Sequence, residues 1–448
     1  MMTEDMRLIL SAVLGIAAAI TLIVKARFHP FLALLCGAFL IGLLTGLPPA
    51  ELAHAVEKGA GDVLGGTGLV VALGLSLGAM LQLSNGAEAV AQAGLRVSGP
   101  RAAPWMSMAV ALLLGLPLFF ETGLVLLLPI VAAAADGLSG GKDTSTMRLR
   151  LMLPALAGLS TLHALVPPHP GPLLAVTALH ANLGLTMFYG LLVGLPTAII
   201  AGPLLAGIIA RHVHPSAPVI GKAEPLVQAP GLSASLIAVL LPVVLIALGQ
   251  VKAVVPPAMA AHLGWTGLVS NPVFALVLAN LAAMPLLFGR RMCAAPVQGA
   301  IWAEAMKPAG AIILAIGAGG ALKQVLVTAG LADFLAHLAS HGGIPAIPMA
   351  WMTAVCIRLA TGSATVATIT AAGIMPAVVT ATGASPEWTV LAIGAGSIFF
   401  SHVNDPGFWL VRSYLGTSTP DTFRSWSAME TVVSVVALAF VLAGSYLL

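Results

Sequence analysis

Apolar stretches of bilayer-crossing length recur from one end of this 448-residue chain to the other. A stretch of about 18–25 apolar residues can cross a membrane as a helix. Only 8% of the residues are charged, whereas a soluble domain carries about 25%. The composition excludes a soluble enzyme and a nucleic-acid binder, and the predicted fold class is an all-α polytopic membrane protein.

The apolar pattern predicts about ten full spans and two re-entrant hairpins. The hairpins are stretches 103–137 and 345–380, each too long for one span and interrupted midway. The interruptions are Pro117 and Glu121 in the first, and Thr361, Gly362, Ser363 and Thr365 in the second. The full spans are expected near 8–24, 28–47, 65–84, 151–182, 184–210, 232–250, 268–289, 309–328, 388–415 and 428–448.

The distribution of Lys and Arg supports this topology, because cytoplasmic loops carry an excess of positive residues. With both termini outside and both hairpins entering and leaving on one side, fourteen of the nineteen Lys and Arg residues fall inside. A full crossing by either hairpin would exchange the sides of later loops. The inside residues are Lys25, Arg27, Arg96, Arg101, Lys142, Arg148, Arg150, Arg211, Lys222, Arg290, Arg291, Lys307, Arg412 and Arg424.

Two of the predicted spans are broken in the middle. Span 151–182 contains VPPHPGP, and span 388–415 contains SHVNDPG. Proline removes backbone donors and clashes with the preceding turn. Hairpin plus broken helix therefore occurs twice, in opposite orientation, which is typical of an inverted-repeat secondary transporter. The predicted domains are the first span and N-terminal repeat (1–210), a cytoplasmic linker (211–230) and the C-terminal repeat (231–448).

Irregular backbone at membrane depth must lie against protein or a wet cavity, because lipid cannot satisfy its polar groups. Half-helix N-termini offer free N–H groups and partial positive charge, which suit a carboxylate. The breaks and tips therefore predict a site for a small anionic substrate. Gly171, in the first break, and Gly362, at the second tip, belong to this candidate site.

Two acidic residues in these elements are candidates for coupling. Glu121 lies between apolar residues in LPLFFETGLVLLLP, where a charge is costly. It is interpreted as a proton carrier or cation ligand, and the alternative is a structural bond to backbone at the tip. Asp405 precedes Pro406-Gly407 in the second break. Its alternative role is an Asx-type cap on the following half-helix, and both roles can coexist.

Three histidines at or beside the breaks are candidates for proton relay: His163, His169 and His402. Histidine titrates near neutral pH, although a buried histidine is more often structural. His169, between prolines, is also a candidate for binding substrate hydroxyls. No compact His, Cys or carboxylate set predicts a metal site.

Polar residues of the second half complete the candidate site. Arg358 can pair a substrate carboxylate bidentately, or form a structural ion pair with Glu121 or Asp405. Ser363 and Thr365 offer hydroxyls, and Asn404 offers donors and an acceptor to a polyol.

Several long blocks, in order, resemble the gluconate permease family of proton symporters, a part of the ion-transporter superfamily. The blocks include GLPLFFETGLVLLLPI, HALVPPHPGP, GAGGALKQVLV, IRLATGSATVAT and FFSHVNDPGFWLV. The resemblance covers residues from about 30 to the end. It implies proton-driven uptake of gluconate or a related sugar acid across the bacterial inner membrane, by a homodimer with an elevator-like motion. The family often has Ser after Asp405, where this chain has Pro406.

Other functions remain open at the level of sequence. Members of the family carry other hydroxy or amino acids, including D-serine, and sodium can replace the proton as coupling ion in this fold. No cofactor other than the coupling ion is expected. A channel would leak substrate without coupling. A membrane-embedded hydrolase is less favoured, because HEXXH and nucleophile-elbow signatures are missing.

Overall fold

The computed structural model of the chain describes residues 4–26, 28–96, 98–139, 144–213, 229–249, 263–334, 337, 345–402 and 405–447. These residues form helices joined by short turns, and no strand occurs among them. Most of the predicted linker 211–230 and Asn404 lie outside the described residues.

The N-terminal part begins with two single helices and a long, bent pair. Pro30, Pro49, Pro104 and Pro170 each occupy the first turn of a helix, where a missing N–H costs little. Residues 205–209 form α10 after a π-helical turn, Ile200–Leu204. The other helices are α1 (Glu4–Val24), α2 (Pro30–Thr45), α3 (Pro49–Leu83), α4 (Gly86–Arg96), α5 (Ala103–Gly115), α6 (Phe120–Ser139), α7 (Thr144–Leu165), α8 (Pro170–Leu179) and α9 (Leu183–Ile199).

The C-terminal part has a similar mixture of long and short helices. A second π-helical turn, Phe423–Ser427, runs directly into the last helix. The helices are α11 (Leu232–Leu248), α12 (Thr266–Val269), α13 (Pro272–Phe288), α14 (Ala295–Thr328), α15 (Ala346–Thr361), α16 (Ala364–Thr382), α17 (Pro386–Ser397), α18 (Pro406–Leu415), α19 (Thr419–Thr422) and α20 (Ala428–Leu447).

Within the described residues, seven helices are long and apolar enough to cross a membrane, or eight if the bent pair 68–83 and 86–95 is one span. The chain is therefore a multi-pass membrane protein. The predicted spans 28–47 and 232–250 correspond to shorter apolar helices, and span 388–415 is divided between α17 and α18. The second arms of both predicted hairpins, α6 and α16, are themselves of spanning length.

Both interrupted stretches fold as two helices with a short turn between them. In the first, residues 116–119 separate α5 from α6. In the second, Gly362 has φ of +70°, a conformation that favours glycine, and Ser363 caps α16. The re-entrant interpretation, the inverted repeat and the sidedness of the termini stay predictions.

The breaks in the two predicted spans are also present. The chain leaves α7 at Leu165 and re-enters a helix at Pro170, and it leaves α17 at Ser397 and re-enters one at Pro406. The two interrupted stretches and the two broken helices pack on one another: α5 and α6 lie on α7, α15 lies on α17, and α16 lies on α8. Beside them, the long helices α3 and α14 pack along each other. The packing brings tips and breaks to the interior.

Candidate functional site

A polar cavity of about 420 Å³ lies where the second tip, the second break and the first tip meet. Its lining combines four ionisable side chains besides Asp405 with hydroxyls and an aromatic wall. Phe120 and Trp426 form that wall, with ring centroids 5.5 Å apart. The polar lining residues are Glu121, Ser160, His163, Arg358, Thr361, Ser363, Thr365, Asp405 and Glu430.

Arg358 ties the second tip to the second break. It is only 4% exposed. Its Nη1 donates to the Gly362 carbonyl at 2.6 Å, and its Nη2 donates to Asp405 Oδ2 at 2.5 Å. The predicted alternative of an ion pair with Asp405 is therefore present. A buried pair of this kind destabilises the protein if one partner is removed, because the other charge is left uncompensated.

Asp405 accepts hydrogen bonds from three elements at once. Besides Arg358, Ser401 donates to Oδ2, and the Gly407 N–H donates to Oδ1 at 2.7 Å. The last bond makes Asp405 the N-cap of α18, as the Asx alternative predicted. Asp405 thereby joins the second tip, the break loop and the start of α18.

The N-termini of the two helices that face the cavity are not equivalent. In α16, Ser363 Oγ accepts from the Val366 N–H at 3.3 Å, which leaves the preceding amides of Ala364 and Thr365 for an outside acceptor. In α18, Pro406 has no N–H and the next amide is already bonded to Asp405. A carboxylate in the cavity therefore finds free amides at the second tip.

Glu121 lies in the first turn of α6, with its side chain open to the cavity. A carboxylate is favourable at a helix N-terminus, and the structural alternative of a bond to backbone at the tip stays a prediction. The position of Glu121 and its access to the cavity are thus compatible with a coupling role and with a structural role at the tip.

His163 and His169 adjoin each other, but only His163 lines the cavity. Their ring centroids lie 5.5 Å apart. His169 is buried, and its Nε2 lies 2.7 Å from the Gly115 carbonyl, which holds the first break against the end of α5. It lines a separate, much smaller cavity with Pro117 and Pro168.

Two further predicted residues lie away from the cavity lining. A Cβ at Gly171 would be 3.3 Å from Thr368 Oγ1, so this glycine allows α8 to approach α16 closely. His402 Nε2 lies 3.1 Å from the Leu359 carbonyl at the second tip. The structure thus brings together Glu121, His163, Arg358, Gly362, Ser363, Thr365 and Asp405, and it separates His169, Gly171 and His402 from them.

Sequence reasoning missed Glu430, which is 2% exposed and lines the cavity from the first turn of α20. Ser160 of α7 lines the same cavity. The signal that could have found Glu430 is the one used for Glu121: a carboxylate in an apolar run, here 428–448.

Three buried polar atoms around the cavity have no hydrogen-bond partner among the described residues. They are Arg358 Nε, Glu430 Oε1 and His163 Nδ1, and they come from three different helices. An unsatisfied buried polar group costs about 1–3 kcal/mol. All three atoms belong to residues that line the cavity. In the part of the chain that the structure describes, no three His, Cys, Asp or Glu residues form a metal-binding group.

These features define the class of the protein: a multi-pass membrane transporter whose broken helices surround a buried polar site. The comparison with known families gives the particular group. The model of the GntP family permeases matches residues 6–447, and the chain belongs to this family. The resemblance seen in the sequence is thereby confirmed.

Named relatives are similar over nearly their whole length. A gluconate permease of Pseudomonas aeruginosa is 42% identical, over 98% of both chains. The Gnt-II system L-idonate transporter of Escherichia coli K12 is 34% identical, over 96% of this chain and 97% of the relative. The high-affinity gluconate transporter of the same strain is 34% identical, over 95% and 96%.

Two solved transporters share the fold at low sequence identity. The Alcanivorax borkumensis YdaH transporter superposes with a TM-score of 0.64 at 18% identity, covering 94% of this chain and 98% of the other. Neisseria gonorrhoeae MtrF, described as one of a class of antimetabolite efflux pumps, gives 0.58 at 17% identity, covering 87% and 83%. These likenesses show the fold alone.

Proposed function

We propose that this chain is a symporter that imports gluconate, or a closely related sugar acid, together with protons across the bacterial inner membrane. The observation that carries the proposal is the cavity with three unsatisfied buried polar atoms beside the free amides of the second tip. The names of the relatives point to the same class, since they include gluconate and L-idonate transporters.

The substrate carboxylate binds at the second tip. It accepts from the amides of Ala364 and Thr365, with help from the Thr365 hydroxyl and the free Nε of Arg358. The Arg358–Asp405 pair is electrically neutral and fixes the tip. The binding energy for the carboxylate therefore comes from the free amides at the start of α16 and from the guanidinium of Arg358.

The carbon chain of the substrate extends across the aromatic wall toward α7 and α20. Its hydroxyls reach Ser160, His163 and Glu430, which offer both donors and acceptors. Such a site rejects analogues without hydroxyls, because its polar groups would then stay unpaired. Asn404, which the sequence predicts as a ligand of the polyol, is also proposed to bind a substrate hydroxyl.

Proton coupling is carried by a carboxyl group that faces the cavity. Glu121 is the candidate from sequence, and its access to the cavity supports that role. An anionic carboxylate repels the anionic substrate, so protonation and substrate binding favour the same state. A homodimer with an elevator-like motion is the working arrangement suggested by the superfamily.

The test is uptake of labelled gluconate into proteoliposomes that hold the purified protein. An inward proton gradient should drive concentrative uptake, and an ionophore that collapses the gradient should abolish it, with or without sodium. Uptake that requires a sodium gradient would show that sodium, and not the proton, is the coupling ion. Absence of uptake under every gradient would exclude gluconate as the substrate. D-serine and other hydroxy acids would then be tested in the same assay. Downhill flux without accumulation would indicate a channel.

A further inference from the structure

The cavity contains a second buried carboxylate whose charge is not compensated by an ion pair. Glu430 is 2% exposed, and its Oε1 has no hydrogen-bond partner among the described residues. The nearby guanidinium of Arg358 is bonded to Asp405 and to the Gly362 carbonyl. No ion pair to Glu430 is present in the described part of the chain.

The charges around Glu430 decide which of its states fits the substrate. Arg358 and Asp405 both act on it electrostatically, with opposite sign. Glu121 and His163 face the same cavity from α6 and α7. An ionised Glu430 therefore adds a negative charge to a site that already holds Glu121 and an internally neutral pair. That charge opposes entry of an anion, and its burial without a partner is costly.

We propose that Glu430 is a second proton-binding group of the transporter, and that it is protonated when substrate is bound. This inference rests on the proposed function. The proton comes from water in the cavity and forms one O–H bond on the carboxyl group, which then donates a hydrogen bond to a substrate hydroxyl. On the far side of the membrane the substrate leaves, the O–H bond breaks and the proton returns to water.

The environments of the two glutamates suggest different tasks. Glu121 is exposed and faces the cavity, whereas Glu430 is enclosed at 2% exposure. Glu121 exchanges protons readily with cavity water, and Glu430 responds to the ligand that covers it. Asp405 differs from both glutamates, because its oxygens accept hydrogen bonds from Arg358, Ser401 and Gly407.

The variant that tests this is Glu430→Gln, which keeps the shape and a hydrogen-bond donor but cannot titrate. The matched control is Glu304→Gln, on α14, where the glutamate pairs with Lys307 away from the cavity. Glu430→Asp restores a titratable group. The first readout needs no transport: infrared difference spectra of the protein in lipid, between high and low pH, report carboxyl groups that gain a proton. Wild type and Glu304→Gln should share a carboxylic C=O component that Glu430→Gln lacks, while the component from Glu121 remains in all three.

The second readout is the pH dependence of the half-saturating gluconate concentration in counterflow. Each proton taken up with substrate contributes about one tenfold change per pH unit. In a plot of the logarithm of the half-saturating concentration against pH, the slope for Glu430→Gln should be smaller than that of wild type by about one. Glu430→Asp should restore the slope of wild type. At low pH the affinity of Glu430→Gln should match that of wild type.

A C=O difference spectrum of Glu430→Gln that equals the spectrum of wild type, or an unchanged slope in a variant that transports, would overturn the proposal. If wild type does not transport gluconate, the proposed substrate fails. The infrared comparison then still decides whether Glu430 binds a proton, since that measurement requires no substrate.

Discussion

The two helix breaks look alike in the sequence, but they do different things in the structure. The break between α7 and α8 carries several prolines, and its His169 bonds the Gly115 carbonyl beside a separate small cavity. The break between α17 and α18 lies in the main cavity, where Asp405 joins Arg358, Ser401 and Gly407. The first break therefore holds helix ends together beside a small cavity, and the second lines the main cavity.

The tips differ in the same way. The first tip contributes a carboxylate and an aromatic ring, Glu121 and Phe120. The second contributes free amides at the start of α16 and hydroxyls at Ser363 and Thr365. Similar chain elements thus present opposite electrostatic groups to the cavity: free amides at the second tip and a carboxylate at the first.

The largest effect is expected from Arg358→Met. The change leaves Asp405 buried without its cation, which should destabilise the protein by about 3–5 kcal/mol. It also releases the Gly362 carbonyl, so uptake should fall below detection. Thermal unfolding in detergent and proteoliposome uptake measure the two losses.

The double variant Arg358→Met with Asp405→Asn separates the two roles of Arg358. It removes both charges, so most of the stability should return. Uptake should stay absent, because the free Nε no longer meets the substrate. Recovery of transport together with stability would show that Arg358 acts only as a structural partner of Asp405.

The next largest effect is expected from Glu121→Gln, which tests the first half. Gln cannot release a proton, so the variant should bind and exchange gluconate but lose proton-driven accumulation, with an inside-to-outside ratio near unity. Counterflow measures exchange, and uptake under a proton gradient measures accumulation. If the variant concentrates substrate as wild type does, the proton role of Glu121 is wrong.

A smaller effect is expected from Ser363→Ala at the second tip. Loss of an N-cap costs about 1 kcal/mol, and the distorted amides should raise the half-saturating gluconate concentration about 2–10-fold. Ser385→Ala is the matched control, because Ser385 caps α17 by accepting from the Trp388 N–H. Both variants should lose similar stability, measured by thermal unfolding. An equal loss of affinity in the control would show that the effect of Ser363→Ala does not come from substrate binding at the second tip.

The smallest effect on affinity is expected from His169→Phe in the first break. The Gly115 carbonyl loses its partner, at a cost of about 1–3 kcal/mol in stability. Since His169 does not line the main cavity, the half-saturating concentration should change less than twofold. A tenfold rise in counterflow would support the sequence-based prediction that His169 binds substrate hydroxyls, and it would make the two breaks functionally equal.

The interruptions and breaks could be predicted from sequence because their causes are local. Prolines at 167, 168, 170 and 172 forbid a continuous helix, and Gly362-Ser363 combines a left-handed residue with a helix cap. The multi-pass class followed from the scarcity of charge. These features depend on neighbours in the chain.

The arrangement of the site could be predicted only in part, because it depends on which faces turn inward. Both alternatives named for Asp405, cap and ion pair, are present together, a combination that needs Arg358 from 47 residues away. Glu430 was missed because no break marks its helix. His169 was placed among the substrate ligands on account of its prolines, whereas its direction is set by contact with the end of α5.

Pro406 bears on whether the cavity can accept a ligand with two carboxylates. Because this residue has no N–H and Asp405 takes the next amide, the start of α18 presents no open donor to the cavity. A second carboxylate on the same ligand would face Asp405 instead of a helix terminus. The cavity thus offers one place for a ligand carboxylate, so we expect an aldaric diacid as long as gluconate to compete poorly.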